Sequence, residues 1–281
     1  MGLSGGKAGR WTVLARVLLF MLGCALALII ISPLASRIAL QWSSAVVGLA
    51  ASLATLILTL VFIRWDRIPL ADIGASPTRG SIPRLLLGFT AGLFLVAAQA
   101  GLFTIAEHVR WIRSDVPDAK PMVTALAAYL LLACREELAF RGYPLRRLDQ
   151  SFGPWTAQLI VALVFALEHR AGGYNWTNAL FGAFVGSLLF GMAALATRGL
   201  ALPIGLHAAW NFGQWIIGEK ESPGLWMPII PGGPSASVDH VALIAYVAIF
   251  GLATLAFWWF GKARTSTSRN LLNFSAAAVL C

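Results

Sequence analysis

Long apolar runs alternate with short polar segments along the whole chain. A membrane helix needs about 20 apolar residues to cross the hydrocarbon core. The pattern predicts eight such spans, over residues 16–35, 41–63, 84–106, 121–139, 155–169, 177–197, 200–217 and 238–260. The fifth and seventh are short, which suits helices that are tilted or shielded by their neighbours. The expected fold class is all-α, a polytopic membrane helical bundle of about eight transmembrane helices. Phe152-Gly153-Pro154 is a turn signal between the fourth and fifth spans, since proline ends a helix and glycine relaxes the turn. The Pro- and Gly-rich stretch from Ser222 to Pro234 reads as a loop, and the tail after Lys262 is expected outside the bundle. Neither an internal repeat nor a low-complexity tract runs through the chain. Three parts are expected: N-terminal helices and a cytoplasmic loop over 1–120, a core over 121–217, and a loop, last helix and tail over 218–281.

Composition agrees with the pattern. The 281 residues are 58% hydrophobic and 12% charged, with mean hydropathy +0.77, against about 45–50% and about 25% in soluble domains. The net charge of +9 sits in short clusters between apolar runs, as topology signals do. No basic groove or aromatic-interleaved patch points to nucleic acid, so the lipid bilayer is the expected partner. The basic start, with Lys7, Arg10 and Arg16, precedes an apolar run reaching about Ala35. That run is longer than a signal-peptide core and is expected to remain as the first span.

With the N-terminus placed in the cytoplasm, the inside segments hold Lys7, Arg10, Arg16, Arg64, Arg67, Arg79, Arg84, Arg141, Arg146, Arg147, Arg198, Lys262, Arg264 and Arg269. The outside segments hold Arg37, Arg110, Arg113, Lys120, Arg170 and Lys220. Fourteen against six places both termini in the cytoplasm, in a multi-pass protein of the cell inner membrane. The three cysteines, Cys24, Cys134 and Cys281, define neither a disulfide framework nor a zinc knuckle, and Cys281 is not in a prenylation box.

Few ionisable groups fall inside the spans, and each is costly there and functional by default. Span four ends in Arg135-Glu136-Glu137-Leu138-Ala139-Phe140-Arg141, span five in Phe165-Ala166-Leu167-Glu168-His169, and span seven contains His207-Ala208-Ala209-Trp210-Asn211. Folded about residue 152, spans four and five would bring Glu136 and His169 side by side, with Arg146, Arg147 and Asp149 at a hairpin tip in cytoplasmic water. His207 enters at a similar depth, and Asn211, four residues on, shares its helical face.

Such a group can hydrolyse a peptide bond. A buried carboxylate beside an imidazole can take a proton from water, and a second imidazole with a carboxamide can donate to the tetrahedral oxyanion. The assignment is Glu136 as base with His169 as partner, and His207 with Asn211 as the oxyanion site. Glu137 and Arg141 have the spacing of a helical ion pair. Two His and a Glu are also a zinc ligand set; if zinc is bound, Glu136, His169 and His207 would hold it. The H-E-x-x-H pattern is absent, so the preferred mechanism requires no cofactor.

The three motifs, Glu-Glu-x-x-x-Arg at Glu136, Glu137 and Arg141, Phe-x-x-x-His at Phe165 and His169, and His-x-x-x-Asn at His207 and Asn211, occur in this order on successive membrane helices. In this the chain resembles the CPBP family of CAAX prenyl proteases, Abi-type proteins and bacteriocin-processing proteases. The resemblance spans residues 121–217. It implies an intramembrane endopeptidase, glutamate-type or metalloprotease, with a cleft open to the cytoplasm and a membrane-bound or lipidated CAAX-type substrate. Glu168 is outside the family pattern; it would raise the pKa of His169 or face the opposite side.

Plainer readings stand beside these. For Glu137 and Arg141 a structural ion pair is the favoured reading over direct catalysis, while for His207 and Asn211 a role as mere interhelical hydrogen-bonding groups is the lesser one. His108 and His240 fall at membrane edges, Cys134 reads as inert packing, and Phe165 and Trp210 shape the cleft. Intramembrane Glu and His also build proton relays, so a proton-coupled transporter is one alternative function and a catalytically silent scaffold or immunity-type protein is another.

Overall fold

A computed structural model describes residues 9–38, 42–115, 119–220, 224–233 and 235–279. Its elements, in chain order, begin with α1 (Arg10–Ile38), α2 (Ser43–Asp66), α3 (Ser81–Glu107) and β1 (Arg110–Arg113). Helix α4 (Ala119–Glu136) runs through a π-helical turn (Glu137–Gly142) into α5 (Tyr143–Phe152), and α6 (Pro154–Ala171) follows. A second π-helical turn (Asn178–Ala183) leads into α7 (Phe184–Thr197), and α8 (Ala201–Ile216), β2 (Trp226–Ile229) and α9 (Ala236–Val279) complete the order. The protein is an all-α membrane bundle. Five stretches, Arg10–Leu34, Ser43–Asp66, Ser81–Glu107, Asn178–Thr197 and Ala236–Ala263, are long and apolar enough to cross a bilayer.

Predicted spans four, five and seven become α4, α6 and α8, of 18, 18 and 16 residues, which fall outside those five. The physical reason is that they carry the polar motifs. Helix α8 is shielded almost along its length, with Leu206 through Trp210 all buried. The long helices instead expose apolar side chains such as Ile29, Ile57, Phe94 and Leu252, as lipid-facing surfaces do.

Helices α3 and α8 touch through small residues. A Cβ on Gly88 would collide with the Leu202 carbonyl, one on Gly205 with the Leu85 carbonyl, and one on Gly92 would lie 2.7 Å from Ala209 Cβ. Contacts advance together along both chains, from Gly205 against Leu85 to Gly213 against Val96, so the helices run parallel. Such close approach gives dispersion contacts that larger side chains would forbid.

The two ends of the bundle differ. At one end Asp66 accepts hydrogen bonds from Tyr143 Oη at 2.9 Å and Arg147 Nε at 2.8 Å, and is also paired with Arg16. The same end brings Leu200 N–H onto the Gly74 carbonyl at 3.1 Å. At the other end β1 and β2 form a short antiparallel ribbon, with Trp111 opposite Pro228.

Three expectations are corrected. The segment after Arg141 is not a watery hairpin tip: it forms α5, with Arg146 buried and donating to the Ala194 carbonyl at 2.7 Å. The turn at residues 152–154 does form, with Gly153 at φ +83°, but the helix that packs on α6 across it is α5 rather than α4. The region read as loop on either side of the membrane edge includes the β1–β2 ribbon, whose four-residue strands are too short to show period-two patterning.

Candidate active site

Helix α4 ends at Glu136, and the π-helical turn begins at Glu137. The extra residue in a π turn rotates the side chains that follow it, and such turns cluster at functional sites. Glu136 faces a cavity of about 800 Å³, whereas Glu137 is fully buried behind it.

Imidazole and carboxylates meet around His207. Its Nδ1 lies 2.9 Å from Glu137 Oε1, and its Nε2 lies 3.6 Å from Glu136 Oε2. Glu137 Oε1 also accepts from Arg141 Nη1 at 3.2 Å, within a pair that is wholly buried. Arg141 donates onward to the Ser187 carbonyl at 3.4 Å, and its guanidinium lies 4.6 Å from the Phe165 ring centre. Phe190 stacks on the His207 ring at 4.2 Å and 14°, which fixes the plane in which both ring nitrogens act.

His169 stands apart from this chain. Its Nδ1 is 2.9 Å from the Phe165 carbonyl. A carbonyl only accepts, so Nδ1 carries the hydrogen, and a neutral ring then has its lone pair at Nε2. Glu136, His169, His207 and Asn211 all line the same cavity. The expected pairing of Glu136 with His169 is therefore revised: the imidazole in contact with Glu136 is His207. Helix α6 packs on α5 rather than on α4, so residue counting about the turn did not give the contact.

Asn211 is one turn along from His207, and its Oδ1 accepts from Lys220 Nζ at 3.2 Å. With the oxygen end held, the carboxamide NH₂ is the end left to donate. Glu168 faces away from the site and is paired with Arg135, a side chain fully buried on α4.

Arg135, Phe190 and Lys220 are site-supporting residues that pattern reading missed. Arg135 carried a signal, a cation inside a predicted span. Phe190 carried none, because one aromatic in an apolar helix has no distinctive spacing. Lys220 registered only as a loop charge.

Among the described residues, no three His, Cys, Asp or Glu side chains come close enough together to hold a metal ion. The residues of the alternative zinc set, Glu136, His169 and His207, line one cavity without forming such a group.

The buried acid–imidazole chain and its neighbouring carboxamide thus stand together on helices of a membrane bundle. Residues 118–213 match the family model for type II CAAX prenyl endopeptidase, Rce1-like, so the family resemblance carried by the three motifs is shown over that core. Among characterised proteins, the chain is similar to lysostaphin resistance protein A of Staphylococcus aureus strains MRSA252 and Newman. Identity to each is 25% over 232 residues, covering 80% of this chain and 52% of the relative. The chain thus spans about half the length of the curated relatives it matches.

Proposed function

We propose that the protein is an intramembrane endopeptidase that hydrolyses a peptide bond in a membrane-anchored or lipidated substrate. The observation that carries this reading is the Arg141–Glu137–His207–Glu136 chain, buried in the bundle and ending at a cavity wall shared with His169 and Asn211. A proton relay would need the acids and imidazoles but not a carboxamide at the same wall. A silent scaffold would have no use for so many desolvated polar groups in one place.

Glu136 accepts a proton from the attacking water, and His169 Nε2 orients that water through its lone pair. As the water adds to the peptide carbonyl, the negative charge develops on the carbonyl oxygen, where the Asn211 NH₂ donates and where His207 donates from Nε2 when its ring holds a hydrogen on each nitrogen, the Nδ1 one being given to Glu137. Glu137 and Arg141 hold the His207 ring. Glu136 then delivers the proton to the departing amine, and the peptide C–N bond breaks.

Cleavage of a quenched fluorescent membrane-anchored peptide library by purified protein in detergent tests this. Glu136→Gln should lower kcat by about 10³-fold, within the range for loss of a general base, with an unchanged melting temperature. Turnover by the Glu136→Gln variant at the wild-type rate would overturn the assignment. A chelator should leave wild-type turnover unchanged, and its loss on chelation with recovery on added zinc would replace this mechanism with a metal-based one.

A further inference from the structure

The cavity that holds Glu136 has a direction. Its deep wall is formed by Glu136, at the end of α4, and by Phe190 and His207, midway along α7 and α8. From there its lining passes to exposed residues on connecting segments: Asn175 and Thr177 after α6, and Asp239 and His240 at the start of α9. Pro228 of β2 also lines it. Every one of these rim residues belongs to the end of the bundle that carries the β1–β2 ribbon.

The opposite end is closed. Among the described residues, the cavity lining takes nothing from α1, α2 or α5, nor from residues 67–80 and 198–200. Those are the segments joined by Asp66 with Arg16, Tyr143 and Arg147, and by the Leu200–Gly74 backbone bond. Leu145 and Leu148 are fully buried and Phe140 is 1% exposed in the same region, so a packed plug lies between the site and that end.

The closed end is also the cationic one. Arg10, Arg16, Arg64, Arg67, Arg79, Arg84, Arg147, Arg198 and Lys262 lie on it, whereas Arg37, Arg110, Arg113, Lys120, Arg170 and Lys220 lie on the ribbon end. Lys and Arg are retained on the cytoplasmic side of a membrane. The open mouth therefore belongs to the other side.

We infer that the site is loaded from the extracytoplasmic face, so that its substrate is a membrane-anchored polypeptide whose scissile bond lies at or beyond that face. This deepens the peptidase reading and rests on it for the word substrate, while the direction of access stands on geometry and charge alone. A cleft open to the cytoplasm, as the family resemblance implied, is replaced by one open at the opposite end, and a prenylated cytosolic C-terminus would meet the plugged side.

Access is tested first without any reaction. In a background of C24S, C134S and C281S, Asn175→Cys and Asp239→Cys should react with a membrane-impermeant maleimide added to spheroplasts. Thr78→Cys, on the cationic end, should react only in inverted membrane vesicles. The reverse labelling pattern overturns the inference whatever the enzyme does.

The second arm uses oriented proteoliposomes, sorted by that labelling, and one transmembrane peptide with its cleavable segment on either side. Cleavage confined to the Asn175 side supports the inference. Cleavage confined to the Thr78 side overturns it and leaves the peptidase reading intact. No cleavage from either side, with labelling as expected, counts against the peptidase reading and leaves the direction of access supported by the maleimide result.

Discussion

Arg141 illustrates how a cation can be retained in the middle of a membrane bundle. Its guanidinium is fully buried, bonds Glu137 and the Ser187 carbonyl, and rests against the faces of Phe165 and Phe190. Removing one partner of a buried pair leaves an uncompensated charge, which costs about 3–5 kcal/mol. Arg141→Met should therefore lower stability by that order in detergent unfolding. The double variant Glu137→Gln with Arg141→Met should recover part of the loss, because neither charge is then stranded. Arg141→Lys should not substitute fully, since an ammonium lacks the planar fork that reaches two acceptors.

Asn211 gives the complementary prediction. A donor that acts on developing charge contributes in the transition state more than in the ground state. Asn211→Ala should lower kcat by about 10²-fold with KM nearly unchanged, measured on the same fluorescent peptide. Equal losses in kcat and binding would instead place Asn211 in substrate docking.

At the scale of elements, what the sequence made legible follows from which signals are periodic. Apolar runs of membrane length predicted α1, α2, α3, the π turn with α7, and α9, because a bilayer imposes one length on all of them. The three motifs brought Glu136, His169, His207 and Asn211 to one cavity, as ionisable groups in apolar surroundings stand out. The contact between Glu136 and His207 was not legible. It rests on the packing of α8 beside the end of α4, a tertiary contact that has no sequence signature. The α3–α8 seam was legible but overlooked: Gly88 and Gly92 are spaced four apart, and Gly205, Ala209 and Gly213 repeat that spacing. Since the seam holds the helix that bears His207 and Asn211, Gly205→Val should separate α8 from α3. The expected result is a lowered melting temperature together with lost turnover, whereas Gly101→Val, where a Cβ meets nothing within 4 Å, should change neither.

For the whole molecule, the site depends on an end it does not touch. Asp66 is almost wholly buried and joins α1, α2 and α5 through Arg16, Tyr143 and Arg147. Burial first, and then the neighbouring Asp66 carboxylate, push the Tyr143 phenol above its usual range, so it remains a donor at any working pH. Helix α5 is continuous through the π turn with the segment that presents Glu136 and Glu137, so a shift of α5 would be transmitted to the acids. Asp66→Asn leaves Arg16 and Arg147 facing each other without an anion and should reduce both stability and kcat. Tyr143→Phe removes one hydrogen bond and should cost only about 1 kcal/mol. Because Asp66 is shielded from solvent, added salt should alter the loss in Asp66→Asn little. Unfolding and turnover measured together at low and high salt check this. A loss that salt abolishes would mean the cluster acts through its exposed arginine arms, whereas loss of stability with kcat intact would mean that the cationic end holds the bundle together without setting the position of Glu136.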